Sequence, residues 1–225
     1  MITVEICTPS LVSARAAKEG GAQRVELCRN LACGGLTPWE GDIDECVHTL
    51  GLRTHVLVRP RAGDFCYTAS EVAEIERNIL RCKELGAAAV VIGFLDAEGR
   101  VDVELTRRMV QLAAPMEVTF HRAFDEARQE PLEALRAVEA AGCHRLLTSG
   151  QQPTALEGAE VIRQLVGATR VKILAGSGVT PQNVKELIAR TGVGEVHGSC
   201  KRTMPNGTVQ TDAAQVRELF EKLRS

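Results

Sequence analysis

The chain has 225 residues, 44% of them hydrophobic and a quarter charged, and 27 basic against 29 acidic side chains leave a net charge of −2. This is the composition of an ordinary globular chain able to bury a large core, and charges spread without blocks exclude the electrostatic footprint of a nucleic-acid backbone or an anionic membrane. The opening "MITVEICTPS" carries neither a basic stretch nor a long apolar one, and no run approaches the ~18 apolar residues of a spanning helix, so a cytoplasmic protein is expected.

Short β-rich runs alternate with longer amphipathic stretches from one end to the other. "ITVEIC" (2–7) precedes a helical stretch over 10–20, and "RVELC" (24–28) precedes, after a glycine-rich turn, another over 39–51. "THVLVRP" (54–60) leads into a helix over 69–86, and "AAAVVIGFL" (87–95) into one over 102–113. "EVTFHRAF" (117–124), "HRLLTSG" (144–150) and "RVKILAGSGV" (170–179) are followed by helical patterns over 130–142, 155–167 and 181–192. "GEVHGS" (194–199) leads, through "CKRTMPNGTVQ" (200–210), to a last helix over 213–224; the intervening stretch reads as an irregular loop suited to be a flap.

Several helices stop at a glycine, Gly20, Gly51, Gly86, Gly142 and Gly192, as suits a left-handed residue just past the last turn. Strict βα alternation demands a parallel sheet with right-handed crossovers. Eight units of about 28 residues predict a single-domain (β/α)8 TIM barrel spanning 1–225.

Strand residues in such a barrel alternate between the helix layer and the interior, and the C-terminal strand ends carry the site. Turning the aliphatic residues outward points Thr3, Glu5 and Cys7, then Arg24, Glu26 and Cys28, into the lumen. The same parity places His55 and Arg59, then Glu117, Thr119 and His121, then Glu195, His197 and Ser199 inside. An interior that needed only packing would use Val, Ile and Leu, so these strand ends are read as a lined site, with paired charges that fix the register as the competing explanation.

Several of these stretches also resemble one family. "VEICTPS", "GGAQRVELCRNLACGGLTP", "VLVRPRAGDFCY", "GFLDAEGRVD", "TFHRAFD", "LLTSG", and "AGSGV" followed by "EVHGS" are similar to the CutC family of copper-homeostasis proteins, from Met1 to about Ser199. The resemblance implies a cytoplasmic barrel linked to copper handling, commonly a homo-oligomer such as a dimer or tetramer. Two departures stand out: Ser177 occupies a position where a third glycine is expected, and Trp39 and Glu40 follow the proline of "LTPWEG" where a small residue is usual.

"VEIC" (4–7) and "VELC" (25–28) repeat one spelling on consecutive strands. Neighbouring strands lie about 4.8 Å apart, close to the ~4.6 Å that two metal–thiolate bonds of about 2.3 Å span. Soft thiolates select Cu(I), which makes Cys7 and Cys28 the expected copper ligands; the competing role is that of small buried hydrophobes. Cys33 is a weaker third, Cys46, Cys82 and Cys143 fall on or beside helices and read as packing residues, and Cys66 and Cys200 have no assignment.

An enzymatic alternative also comes from the residues. Gly176, Ser177 and Gly178, with Gly198 and Ser199, occupy the strand-seven and strand-eight loops where barrels bind phosphate on backbone N–H groups. Arg59 and Arg61 are positioned to clamp a second anionic group, His121 offers a titratable base, and Glu26 an acid/base partner. On this reading Glu26, Arg59 and His121 are catalytic and the substrate is a small phosphorylated or carboxylated metabolite. No P-loop, GxGxxG or nucleophile elbow is present.

Overall fold

The computed structural model describes residues 2–204 and 207–224. Eight parallel strands close into a barrel in chain order: β1 (Thr3–Thr8), β2 (Arg24–Leu27), β3 (Arg53–Leu57), β4 (Ala89–Ile92), β5 (Glu117–Phe120), β6 (Arg145–Thr148), β7 (Lys172–Gly176) and β8 (Glu195–Gly198). The ring closes where Glu5 of β1 faces His197 of β8. Helices α1 (Leu11–Glu19), α2 (Glu40–Asp44), α3 (Ala69–Glu84), α4 (Val103–Ala113), α5 (Pro131–Ala140), α6 (Ala159–Ala168), α7 (Val184–Thr191) and α8 (Ala213–Arg224) follow the strands. The predicted (β/α)8 barrel is therefore the fold.

The main apolar core lies between strands and helices: Ile6, Val25, Val56, Val90, Val118, Leu146 and Val196 face outward onto Ala14, Ile75, Met109, Leu135, Ile162 and Leu187. Two local details differ from the sequence reading. Gly20 is right-handed (φ −72°) and it is Gly21 that turns left-handed (φ +100°); Gly20 is small because a Cβ there would stand 2.5 Å from Val216 Cβ of α8. The tail after β8 is not an irregular flap, because Lys201–Thr203 (β9) and Val209–Thr211 (β10) pair as an antiparallel hairpin. Its returning arm is tied to the barrel: the Thr211 N–H donates to Ser13 Oγ at 3.1 Å and the Thr211 hydroxyl to the Cys7 carbonyl at 3.4 Å. Pro205 and Asn206, part of the flap reading, lie outside the described residues.

The lower half of the lumen is filled by ions rather than aliphatic side chains. Arg24 reaches Glu5 Oε2 at 3.0 Å and Glu195 Oε2 at 2.6 Å; Arg145 reaches Glu195 Oε2 at 2.7 Å and Glu117 Oε2 at 3.2 Å. His55 Nδ1 lies 2.7 Å from Glu5 Oε2. The charge-pairing explanation thus holds for this layer, and the site belongs to the strand ends above it.

Arg145 is 1% exposed and has two carboxylate partners. Removing one member of a buried charged set leaves the others unpaired, at a cost of about 3–5 kcal/mol. Arg145→Met should lower the unfolding free energy by about that amount in urea denaturation, whereas Arg100→Met, on an exposed loop pair with Asp96, should stay within about 0.5 kcal/mol of the parent.

Candidate functional site

Above the ionic layer, the C-terminal ends of the strands open into a cavity of about 750 Å³. Cys7, Glu26, Cys28, Arg59 and His121 all line it, so the inward parity brings together residues of strands one, two, three and five. Ser177, Gly178, Gly198 and Ser199 line the same mouth from the last two loops. Two of the anion-binding expectations do not reach it. Gly176 belongs to β7 itself, where a Cβ would stand 2.5 Å from Leu147 Cδ1 and 3.3 Å from His197 Cβ, so this glycine makes room first for Leu147 and then for the histidine instead of cradling an oxyanion. Arg61 points the other way: it donates to Glu71 at 2.5 Å and Asp64 at 3.0 Å and lies 5.0 Å over the Tyr67 ring, which removes it from any clamp with Arg59.

The two thiols meet, though not by the pairing expected. Cys7 is opposite Glu26 in the β1–β2 register, and Cys28, whose N–H donates to Thr8, sits further along its strand. Barrel stagger nonetheless brings their sulfurs to 4.0 Å, both buried, with Leu57 and Val91 packed around them. Contact with Cys28, burial and the nearby Glu26 push the Cys7 thiol well above its ordinary value, so it is held as a neutral thiol. The remaining cysteines divide as exposure dictates. Cys46, Cys82 and Cys143 are buried packing residues, Cys33 and Cys66 are exposed, and Cys200 is buried beside the cavity.

His197 is the residue that sequence reasoning placed inside but gave no role. Its Nδ1 lies 2.9 Å from Glu5 Oε1 and its Nε2 3.5 Å from Glu26 Oε2. Burial disfavours its cation, but Glu26, Cys7 and Glu5 more than reverse this and hold the ring well above the ordinary histidine range. Glu5, despite its burial, is drawn well below the carboxylate range by His55 and His197, whereas burial and Glu5 push Glu26 upward against the pull of His197. Ligand atoms of Cys7, Glu26 and His197 lie within 4.8 Å of one another, a grouping capable of holding a metal ion. The signal was available: His197 shares the parity of Glu195 and faces Glu5 across the barrel seam.

His121 is in the opposite state. Burial and the Arg59 guanidinium push it down to about 3, so it is a neutral ring. The Ala123 N–H donates to its Nδ1 at 3.1 Å, which places the ring proton on Nε2. Ser177, where a glycine was expected, indeed adopts left-handed backbone (φ 82°), and its hydroxyl donates to the Pro153 carbonyl at 2.8 Å in partial compensation. The N–H groups of Gly178 and Ser199 find no acceptor among the described residues. Trp39 is 65% exposed, with the Arg29 guanidinium 4.6 Å above its ring. No described helix is long and apolar enough to cross a membrane.

Comparison with known proteins gives the family and the fold. The profile of the CutC family matches residues 2–202. A CutC family protein of Chromobacterium violaceum is 48% identical over 200 residues, covering 88% of this chain and 81% of its own. Among solved structures, a copper homeostasis protein CutC of Streptococcus agalactiae superposes with a TM-score of 0.83 at 33% identity, over 88% of this chain and 99% of that one. N-(5'-phosphoribosyl)anthranilate isomerase of Pyrococcus furiosus shares the fold alone, with a TM-score of 0.65 at 14% identity over 100% of this chain and 99% of that one.

The depressed His121 has a consequence in pH. Its folded value of about 3 lies below the ordinary 6.5, so between these limits the unfolded chain binds the extra proton. Stability that depends on a neutral His121 is complete above about 6.5 and is lost as pH falls toward 3. The ring proton resonances of His121 in the folded protein should therefore stay constant from pH 8 to about 5; a midpoint near 6.5 would contradict the buried neutral state.

Proposed function

The chain belongs to the CutC family, and on that footing we propose that it serves copper homeostasis by binding Cu(I) through Cys7 and Cys28 at the barrel mouth. The observation that carries this is the pair of buried sulfurs 4.0 Å apart. Two bonds of about 2.3 Å spanning that distance enclose an angle of about 120° at the metal, which is trigonal rather than linear. The third donor then comes from His197, which shares Cys7 as a neighbour in the metal-capable grouping. Soft sulfur selects Cu(I) over harder ions, and ligation displaces the thiol protons together with the proton on the coordinating nitrogen of His197.

Free cysteines suit a reducing compartment, so the cytoplasm is the proposed location. A homo-oligomer, dimer or tetramer, is proposed as well, with the exposed large side chains of Trp39 and Leu80 as its support. Monomeric sedimentation of the full chain would contradict that assembly.

A second reading, an enzyme acting on a small phosphorylated or carboxylated metabolite with Glu26, Arg59 and His121 as its catalytic groups, is favoured by one observation. The cavity, about 750 Å³, is of the size that holds a small organic ligand and far exceeds the needs of a single ion.

Anaerobic titration should show about one tightly bound Cu(I) per chain. Cys7→Ser with Cys28→Ser should abolish that binding, His197→Ala should weaken it, and Cys82→Ser or Cys143→Ser should leave it unchanged. Wild-type affinity in the double variant would end the thiol-pair reading.

A further inference from the structure

Three arginines are buried in the barrel, and they are treated differently. Arg24 is 5% exposed and pairs with Glu5 and Glu195; Arg145 is 1% exposed and pairs with Glu195 and Glu117. Arg59 is 6% exposed, yet no carboxylate of the described residues lies within ion-pair distance of it. Its guanidinium instead donates to the carbonyls of Cys33 (3.0 Å), Gly35 (3.2 Å) and Gly63 (2.7 Å) and rests 4.8 Å from the Phe65 ring centroid. Those neutral dipoles hold the loops after β2 and β3 without cancelling the charge. Its Nε finds no acceptor among the described residues.

His121 flanks the same Phe65 ring, with centroids 4.9 Å apart. It is 5% exposed; its Nδ1 is occupied by the Ala123 N–H, so its proton sits on Nε2, and Nε2 is likewise without a partner. A buried guanidinium with no counter-ion and a buried N–H with no acceptor are each costly in a folded protein. Here both lie against the Phe65 ring and both side chains line the cavity. An anion supplied from outside would resolve both at once.

We propose that Arg59 and His121 form a binding site for the carboxylate of a small organic acid lodged in the barrel mouth. This rests on the second reading above and names its ligand class. The Arg59 guanidinium and the His121 Nε2–H, both buried and short of acceptors, match the charge and the two oxygens of a carboxylate. Leu31, Leu57 and Phe65 line the same cavity and suit a ligand with carbon behind its carboxylate rather than a bare inorganic ion. Cys7, Glu26 and His197 line the same cavity.

The test is calorimetric titration of the metal-free full chain with pyruvate, with citrate and with inorganic phosphate. At least one of the two carboxylates should bind with a dissociation constant below about 1 mM, and Arg59→Met should weaken it by at least about tenfold. His121→Phe, which keeps a ring against Phe65 but removes the donor, should weaken it comparably; it carries the test alone should Arg59→Met, which loses three loop contacts, fail to fold. Arg100→Met, on its exposed loop pair with Asp96, should bind as the parent does. Failure of both carboxylates to bind, or binding undiminished in His121→Phe, overturns the site. Phosphate binding indifferent to both variants overturns it too while leaving an anion at the β7 and β8 loops, and hence the second reading, standing.

Discussion

The barrel depends on charges that water cannot reach. Glu5, Arg24, Glu117, Arg145 and Glu195 project into the lumen from five different strands, and each carboxylate there lies within ion-pair distance of an arginine. Uncompensated, any one of them would be expensive in a low-dielectric interior; paired, they accept only one relative placement of the strands. A slip of one residue would turn Glu5 and Arg24 into the helix layer and bring Val4 and Val25 inside, so the ionic layer and the outward aliphatic core enforce the same register.

That layer also sets the electrostatics of the mouth above it. Glu5 is the joint: one oxygen faces Arg24 and His55 below, and the other meets His197 at the cavity floor. The cation of His197 is therefore supported from beneath by a carboxylate that is itself fully committed, and by Glu26, 3.5 Å from the ring, whose own carboxyl burial and Glu5 push above its ordinary value. At the ends of β3 and β5 the pattern inverts: Arg59 has no acid beside it, and burial together with the Arg59 charge keeps His121 neutral. The mouth thus presents sulfur, imidazolium and a carboxyl from β1, β2 and β8, and a lone guanidinium past the end of β3.

Alternation of aliphatic and polar residues was enough to reveal eight βα units and which side chains enter the lumen, because a period of two and a period near 3.6 are distinct and the outward face is strictly apolar. What that pattern does not encode is shear. Parity says that Cys7 and Cys28 both point inward, but only the stagger of the closed barrel says that Cys7 opposes Glu26 and meets Cys28 diagonally. Nor does parity apply beyond a strand end, which is why Arg61, two residues past Arg59 and nominally on the same side, turns out to Glu71 and Asp64 instead. The β9–β10 hairpin was hidden for a different reason: its two arms are only three residues each and mostly exposed, too short and too polar to show a period.

Backbone strain is distributed as unevenly as charge. The non-glycine residues with left-handed backbone among the described residues are Asn30, Gln151, Ser177 and Cys200, which follow β2, β6, β7 and β8. All four lie on the C-terminal face, and Gln151, Ser177 and Cys200 line the cavity. Each such conformation costs on the order of 1–3 kcal/mol and survives only where the surroundings over-determine it. The surroundings that do so are the paired ions and the apolar shell below, which carry no such strain. A barrel under selection for packing alone would relax these loops with glycine; this one keeps Ser177 and ties its hydroxyl to Pro153. The shape of the mouth is thus held at a cost that the lower half of the barrel offsets, as expected where loop geometry serves a ligand rather than the fold.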